Sequence, residues 1–255
     1  MIKSTSVEMA TPRETVWEPE AHARIRFHRM AQRDGDNVML RGFDWIRVIN
    51  LPYRTDRRAE MLRELALIGL ADDPRLAFFD AIRPHDAGDF YSIGAHGVYL
   101  SHLAILRQAA QEGASVLILE DDCQFTAHAR NSPQHADLDD TWDIFYGGYE
   151  ASLPADLLRS DIVGAHMMGF TAETATRLCH YLDNLTYQDG HPPIDGAYVW
   201  FRRAHPEIRT RFAVPPLAVQ RSSRSDIADL QFYDRIPAIR PIMNGMRRIK
   251  TWCRD

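Results

Sequence analysis

The chain has 255 residues, of which 45% are hydrophobic and 25% are charged, and its formal net charge is −5. A chain of this length buries about 70–75% of its unfolded surface, so it can build a core without disulfide bonds. The acidic balance argues against general nucleic-acid binding. Three cysteines without metal-type spacing, Cys123, Cys179 and Cys253, indicate a reducing compartment and a cytoplasmic location. The sequence shows neither a signal-peptide pattern nor an apolar run of membrane-spanning length.

The composition along the chain predicts three regions. Residues 1–42 are polar and poorly patterned, so we expect a loosely structured extension or a short helix. Residues 43–234 carry the regular hydrophobic patterns and predict the main domain. Residues 235–255 form a basic tail with apolar residues between the charges. The tail suits peripheral contact with the inner face of an anionic membrane, or an ordinary domain edge, because prolines interrupt any long helix.

From Trp45 onward, the pattern predicts strands that alternate with helices. The predicted elements are WIRVINL (strand), TDRRAEMLRELALIGL (helix), RLAFFDAI (strand), SIGAHGVYLSHLAILRQAAQEG (helix ending at Gly113) and SVLIL (strand). This alternation is typical of crossover connections, and we expect an α/β fold with a mainly parallel central sheet flanked by helices. The apolar run Val116 to Leu119 fits a strand covered on both faces.

The second half of the chain continues the pattern less regularly. A polar loop, TAHARNSPQHADLDD, precedes the predicted strands WDIFYGG and DIVGAHMMGF. The helices TAETATRLCHYL and PIDGAYVWFRRA follow, with Asp195 at the start of the second. RFAVPPLAVQ is predicted as one strand interrupted by Pro215 and Pro216.

Three carboxylates, Glu120, Asp121 and Asp122, directly follow the apolar strand. Neighbouring like charges oppose one another's ionisation, so a positive group is expected beside them. Arg54, Arg57 and Arg58 follow the first strand, and ligands in open α/β sheets collect at such strand ends. Three interpretations stay open: a divalent cation with a diphosphate bound by the arginines, arginines that neutralise the carboxylates directly, or arginines that only form a solvated helix start.

Other polar residues carry two interpretations. His96 and His102 are six apart on one predicted helix, which disfavours a helical zinc pair. His166 either faces the site or is a satisfied core histidine, and the second is favoured. Asp195 either serves catalysis or stabilises a helix N-terminus through the helix dipole.

Five blocks in order carry a family resemblance. They are VINLPYRTDRRAEMLRELALIGL, SIGAHGVYLSHLAILRQAAQEGASVLILEDDCQF, WDIFYGG, PIDGAYV and AVPPLAVQRSSRSDI. Together they resemble glycosyltransferase family 25, over about residues 45–228. The resemblance implies a GT-A fold and inverting transfer of a hexose, usually galactose, from a UDP-sugar to an acceptor hydroxyl. It also implies a divalent metal, Mn²⁺ or Mg²⁺, and a role in lipopolysaccharide, lipooligosaccharide or other surface-glycan synthesis.

The resemblance further implies roles for individual residues. Asp122 and Asp226 are implied as metal ligands, and Asp195 as the general base. Glu120 is implied near the ribose, with Asp121 directed away from the site. The other implied donor-binding residues are Arg54, Arg57, Arg58, Ser101, His102 and Ser225.

Two rival functions come from other classes. One is a non-catalytic protein that keeps the GT-A fold and binds a sugar nucleotide or a partner. The other is a metal-dependent phosphotransferase or hydrolase, which the lack of a G-x-x-x-x-G-K-[ST] loop disfavours. For the transferase, a glycan, a glycolipid or another hydroxyl compound is the expected acceptor.

Overall fold

The computed structural model describes residue 40 and residues 42–131 and 142–221. Most of the N-terminal extension, most of the polar loop before residue 142 and all residues after Arg221 lie outside the described residues. The implied site residues Ser225 and Asp226 and the basic tail are therefore not described.

The strands of the described residues form a single sheet with the order β2-β1-β3-β6-β5-β8-β4, and β7 also pairs with β5. Their bounds are β1 Trp45–Asn50, β2 Leu76–Asp80, β3 Val116–Glu120, β4 Cys123–Phe125, β5 Ile144–Ala151, β6 Ile162–Phe170, β7 Thr210–Phe212 and β8 Ala218–Gln220.

The sheet is mixed. Strand β1 pairs in parallel with β2 and β3, and β5 pairs in parallel with β7 and β8. Strand β6 lies antiparallel between β3 and β5, and β4 lies antiparallel to β8. The expected α/β class with helices flanking the sheet is confirmed. The antiparallel strands arise because β5 and β6 follow each other as a hairpin, which needs no crossover helix.

The helices are α1 Thr55–Leu67, α2 Ile93–Glu112, α3 Ala127–Asn131, α4 Ala172–Asp183 and α5 Ile194–Ala204. Ser92 caps α2 by accepting a hydrogen bond from the Ala95 amide at 3.1 Å, and the helix ends at Gly113 as expected. Within the described ranges, no helix combines the length and the hydropathy needed to cross a bilayer.

Two apolar clusters fill the two faces of the sheet. One face packs against α2, α4 and α5, with residues such as Leu106, Leu178 and Phe201 buried. The other face packs against α1 through Met61 and Leu65. Residues of β3 enter both clusters in alternation, so this strand is covered on both sides, as its continuous apolar run indicates.

The structure divides the predicted strand RFAVPPLAVQ into β7 and β8 at the interruption that the prolines indicate. The proline pair lies between the two strands, and the Val214–Pro215 bond is cis. Proline has no amide hydrogen for a sheet ladder, so the strand breaks there. Both pieces pair with β5, at Phe212 with Tyr146 and at Ala218 with Gly148. The break brings β8 against β4 and the acidic turn before it.

Helix α2 approaches the chain after β2 closely at Gly97, which leads to a test of the fold. A methyl group at Gly97 would lie 2.5 Å from the Ile82 carbonyl oxygen, which belongs to the backbone. We expect Gly97→Ala to lower the free energy of unfolding by about 1–3 kcal/mol. Urea denaturation followed by circular dichroism measures this change.

Gly94→Ala is the matched control, because it lies in the same helix and its added methyl group meets only Ser92 Oγ, at 3.7 Å. There we expect an unchanged or slightly higher stability. Equal destabilisation by both variants would show that the close approach at Gly97 does not limit the packing of α2.

Candidate functional site

The candidate site lies where β1 and β3 end side by side. These strands are parallel, with Ile49 opposite Glu120, so Asn50 and the three carboxylates meet at one edge of the sheet. Asn50, Asp121 and Asp122 are all buried, and Glu120 is partly buried. Such a concentration of buried polar groups at strand ends is typical of ligand sites in α/β sheets.

Asp121 is bound within the protein. One carboxylate oxygen accepts a hydrogen bond from Arg57 at 2.9 Å, and the other accepts one from the Asn50 amide at 2.8 Å. Because Arg57 belongs to α1, Asp121 points toward this helix, as expected for the middle carboxylate. Direct neutralisation by an arginine therefore applies to Asp121.

The other two arginines of the cluster have different partners. Arg54 forms an ion pair with Asp56 at 2.8 Å, and the Arg58 guanidinium lies 3.8 Å from the centre of the Phe78 ring. The structure thus separates the three arginines, and Arg57 is the one that it joins to the carboxylates. The donor-binding roles of Arg54 and Arg58 stay predictions.

Asp122 differs from Asp121 in having an unsatisfied oxygen. Its Oδ2 accepts a hydrogen bond from the Gln220 amide at 3.1 Å, whereas its buried Oδ1 has no hydrogen-bond partner in the part of the chain that the structure describes. Burial, reinforced by the neighbouring charge of Glu120, raises the pKa of Asp122 to about 7. This carboxylate therefore favours a proton or a cation at Oδ1.

Glu120 contacts a buried histidine. His102 Nε2 lies 3.4 Å from Glu120 Oε1, and His102 Nδ1 lies 2.9 Å from the Tyr198 hydroxyl. Burial lowers the pKa of His102 to about 3, so its imidazole is neutral at physiological pH. His102 of α2 thus contacts the acidic strand end, and Tyr198 of α5 contacts His102.

Ser101, adjacent to His102, connects helix and loop. Its hydroxyl donates to the Gly97 carbonyl at 2.7 Å and accepts from the Ile82 amide at 2.9 Å. The side chain is fully buried, so the structure places it beneath the strand-end surface. Its contribution there is to hold the chain after β2 against α2, and a donor-binding role stays a prediction.

Asp195 occupies the first turn of α5 and accepts two backbone hydrogen bonds. Gly164 N–H in β6 donates to one oxygen, and Gly196 N–H donates to the other, each at 2.8 Å. Burial raises the pKa of Asp195, and the backbone hydrogen bonds partly oppose this rise. Asp195 and His102 influence each other's pKa electrostatically, so Asp195 lies near the acidic strand end. Asp195 therefore can stabilise the N-terminus of α5 and also lie at the candidate site.

His166 is buried behind this edge. Its Nε2 lies 3.2 Å from the Ala218 carbonyl, which requires the Nε2–H tautomer, and its Nδ1 has no partner. Gly148 and Gly164 both pack against the ring, and a methyl group at Gly148 would lie 2.4 Å from Nε2. Burial lowers the pKa of His166. His166 is thus a core histidine, as the sequence analysis favoured. Within the described residues, however, only one of its two ring nitrogens is hydrogen-bonded.

The sequence analysis missed several residues of this edge. Asn50 closes a strand of otherwise buried positions, and this polar ending was an available signal. Tyr198 lies three residues after Asp195, so both occur on one face of α5, which the helical period also indicates. Gln220 had no such signal, because its contact with Asp122 depends on where β8 lies in the sheet.

Within the described residues, no group of three or more histidine, cysteine, aspartate or glutamate side chains is arranged to hold a metal ion. Metal ligation by the protein side chains described here would therefore be partial. Hard divalent cations such as Mg²⁺ commonly bind through one or two carboxylates together with phosphate oxygens and water. The acidic edge is compatible with that kind of site.

Comparisons with known proteins give no family assignment. No protein-family model matches the chain, and no curated protein is significantly similar. The solved structures with a similar fold include a glycosyltransferase involved in the glycosylation of the major capsid of PBCV-1 (TM-score 0.45, 13% identity, 71% of this chain and 97% of that chain). Mouse xyloside xylosyltransferase 1 is also similar (TM-score 0.39, 11% identity, 65% and 70%).

A third similar structure is a Bacillus anthracis protein assigned as a glucose-1-phosphate thymidylyltransferase (TM-score 0.36, 9% identity, 65% and 66%). TM-scores of 0.45 and below describe a distant likeness of fold and carry no argument about function. The function must therefore be argued from the residues of the site.

The raised pKa of Asp122 predicts how the stability of the ligand-free protein depends on pH. Between about pH 4 and pH 7 the folded state holds a proton that the unfolded state has lost, so the free energy of unfolding falls as the pH rises. Above about pH 7 the full cost applies, on the order of 3–4 kcal/mol. We expect Asp122→Asn to raise the melting temperature in EDTA at pH 8 and to change it little at pH 4.5.

Asp121→Asn is the matched control, because it removes a carboxylate that Arg57 and Asn50 bind. We expect it to lower the melting temperature at pH 8. Differential scanning calorimetry of both variants at the two pH values measures the contrast. A loss of stability in Asp122→Asn at pH 8 would contradict the view that Asp122 is an unbalanced charge.

Proposed function

We propose that the protein is a glycosyltransferase that takes a hexose, galactose by preference, from a UDP-sugar and transfers it to an acceptor hydroxyl. The observation that carries the proposal is the buried Oδ1 of Asp122, a carboxylate oxygen that no donor among the described residues contacts, at an edge of the sheet rich in negative charge. A buried carboxylate oxygen is stable there when a cation occupies the position beside it. The five sequence blocks that resemble glycosyltransferase family 25 support a nucleotide sugar as the compound that accompanies this cation.

The residues at the strand end fit a divalent metal that is completed by a diphosphate. Asp122 would hold the ion through Oδ1, and Glu120 is close enough to contribute charge. Asp226, which the resemblance implies as a second ligand, lies outside the described residues. When bound, such an ion offsets the negative charge that develops on a departing diphosphate.

Two further groups at the edge suit a nucleotide. Arg57 lies beside the carboxylates, where its guanidinium favours the approach of phosphate oxygens. The Oδ1 of the buried Asn50 has no partner and accepts a hydrogen bond from a ligand N–H or O–H group. Glu120 is the candidate acceptor for a ribose hydroxyl.

Asp195 is the candidate general base. Its pKa is raised by burial, which brings a carboxylate toward the range in which proton transfer at neutral pH is efficient. The two backbone N–H donors hold its carboxylate in a fixed orientation at the start of α5. In the proposed reaction it accepts the proton of the acceptor hydroxyl as that oxygen attacks the anomeric carbon, with inversion and release of UDP.

The proposal places the enzyme in the synthesis of surface glycans such as lipopolysaccharide or lipooligosaccharide. This part depends on the sequence resemblance, which implies a glycan or glycolipid acceptor. The basic tail of residues 235–255 would suit peripheral membrane contact in that setting.

Binding of UDP with and without Mn²⁺ tests the proposed donor site. A ligand at 100 times its Kd stabilises a protein by about 2.7 kcal/mol, so a clear rise in melting temperature is expected with both compounds present. We expect a small rise or none with Mn²⁺ alone. Asp122→Asn should abolish the part of the UDP shift that requires Mn²⁺.

The control for this binding test is GDP, which shares the diphosphate and differs in the base. A rise in melting temperature with UDP that does not need the metal would indicate that Arg57, and not a metal ion, offsets the negative charge of the edge. The absence of any shift with UDP or UDP-galactose, with and without metal, would contradict the proposal and favour a partner-binding protein that keeps the fold.

Asp195→Asn tests the base. General-base catalysis contributes about 10²–10⁴-fold, so we expect kcat to fall by that factor while the Kd of UDP with Mn²⁺ stays within a few-fold of the native value. Release of UDP from UDP-galactose in the presence of glycan acceptors measures turnover. A native rate in a variant that still folds, as judged by calorimetry, would exclude Asp195 as the base.

A further inference from the structure

A buried hydrogen-bonded chain joins the two halves of the candidate site. Glu120 ends β3, His102 lies on α2 and Tyr198 lies on α5, and the histidine contacts the other two through its two ring nitrogens. His102 and Tyr198 are fully buried, so water does not compete for the contact between them. The chain therefore connects the acidic strand end with the helix that carries Asp195.

The direction of the hydrogen bonds follows from the charge of Glu120. A neutral imidazole carries one N–H donor and one acceptor nitrogen. An ionised carboxylate accepts hydrogen bonds and donates none, so Nε2 must carry the hydrogen for the Glu120 contact at 3.4 Å to be favourable. Nδ1 is then the acceptor, and the Tyr198 hydroxyl must donate to it.

The alternative tautomer would place an Nε2 lone pair against a carboxylate oxygen. That arrangement is repulsive unless Glu120 is protonated. A tyrosine hydroxyl is able to donate or accept, so Tyr198 allows either tautomer, and the carboxylate selects one.

We propose that Tyr198 and His102 are positioning residues. They fix the rotation of the Glu120 carboxylate and hold it in a constant position relative to Asp195. Tyr198 and Asp195 are three residues apart on α5, so a movement of this helix changes the base and the Glu120 contact together. Glu120 touches the nucleotide in the proposed function, and this inference rests on that proposal.

The variant Tyr198→Phe removes only the hydroxyl. The ring remains to pack against Phe170, whose centroid lies 5.0 Å away. The matched control is Tyr99→Phe on α2, which also removes a buried tyrosine hydroxyl, one that donates to the Leu182 carbonyl at 3.2 Å. We expect Tyr198→Phe to weaken UDP binding in the presence of Mn²⁺ about five- to tenfold, and Tyr99→Phe to leave the Kd unchanged.

Two substitutions of His102 separate its two contacts. The amide of glutamine takes the place of Nε2 and still donates to Glu120, whereas the amide of asparagine takes the place of Nδ1 and reaches Tyr198 only. The proposed chain needs both contacts, so we expect His102→Gln to lose UDP affinity to the same extent as Tyr198→Phe, and His102→Asn, which loses the Glu120 contact itself, to lose at least as much. Calorimetry identifies any His102 variant that fails to fold. In that case the comparison of Tyr198→Phe with Tyr99→Phe tests the proposal.

Nitrogen-15 NMR of the native imidazole provides a readout that is independent of activity. The shifts of the two ring nitrogens distinguish the tautomers, and the His102 signals are those missing from the spectrum of His102→Gln. Hydrogen on Nε2 is the expected result, and hydrogen on Nδ1 would overturn the proposed chain. Equal Kd values for UDP in Tyr198→Phe and Tyr99→Phe would also overturn it.

The experiment also distinguishes the two proposals. If the native protein binds no UDP or UDP-galactose, the proposed function fails, and with it the positioning of Glu120 for a nucleotide. The tautomer of His102 then tells whether the hydrogen-bonded chain itself exists. If the native protein binds UDP and the tyrosine pair shows no difference, only the positioning proposal fails.

Discussion

The central constraint on the candidate site is the burial of negative charge at the end of β3. Three carboxylates lie at the end of β3, and Arg57 provides the guanidinium partner of Asp121. Asp122 is buried beside Glu120 with one oxygen unpaired, and its pKa is raised to about 7 for that reason. A folded chain tolerates such a cost where a ligand repays it, because a cation that binds only the folded state stabilises that state. In the proposed function, a cation at the acidic edge is such a ligand.

The elements around this edge come from distant parts of the chain. Helix α1 brings Arg57 to Asp121, α2 brings His102 to Glu120, and β8 brings Gln220 to Asp122. Each carboxylate therefore has its own support, and the three are not interchangeable. This division of partners gives adjacent acidic residues different surroundings: Asp121 holds the strand end to α1, whereas Asp122 Oδ1 has no hydrogen-bond partner within the described residues.

Asp195 gains its position from the antiparallel part of the sheet. Strand β6 lies between β3 and β5, and its Gly164 N–H donates to the Asp195 carboxylate. Gly164 has a φ of 91°, in the region that favours glycine, and an added methyl group would lie 2.9 Å from His166 Nδ1. The backbone there is shaped for close contact between β6, the start of α5 and the buried histidine. An aspartate that only capped its own helix would not need this second partner.

The sequence by itself determined the α/β class, the long α2 helix with its end at Gly113, and the buried strand that leads into the carboxylates. These features are encoded locally, by hydrophobic period and by residues that start and stop helices. Only the tertiary structure decided that the arginines after β1 separate, that both pieces of the proline-interrupted strand pair with β5, and that Asp121 and Asp122 differ. Each of these depends on contacts between residues far apart in the chain, such as Gln220 with Asp122 and Tyr198 with His102. Such contacts follow from the order of strands in the sheet, and neither composition nor local period specifies that order.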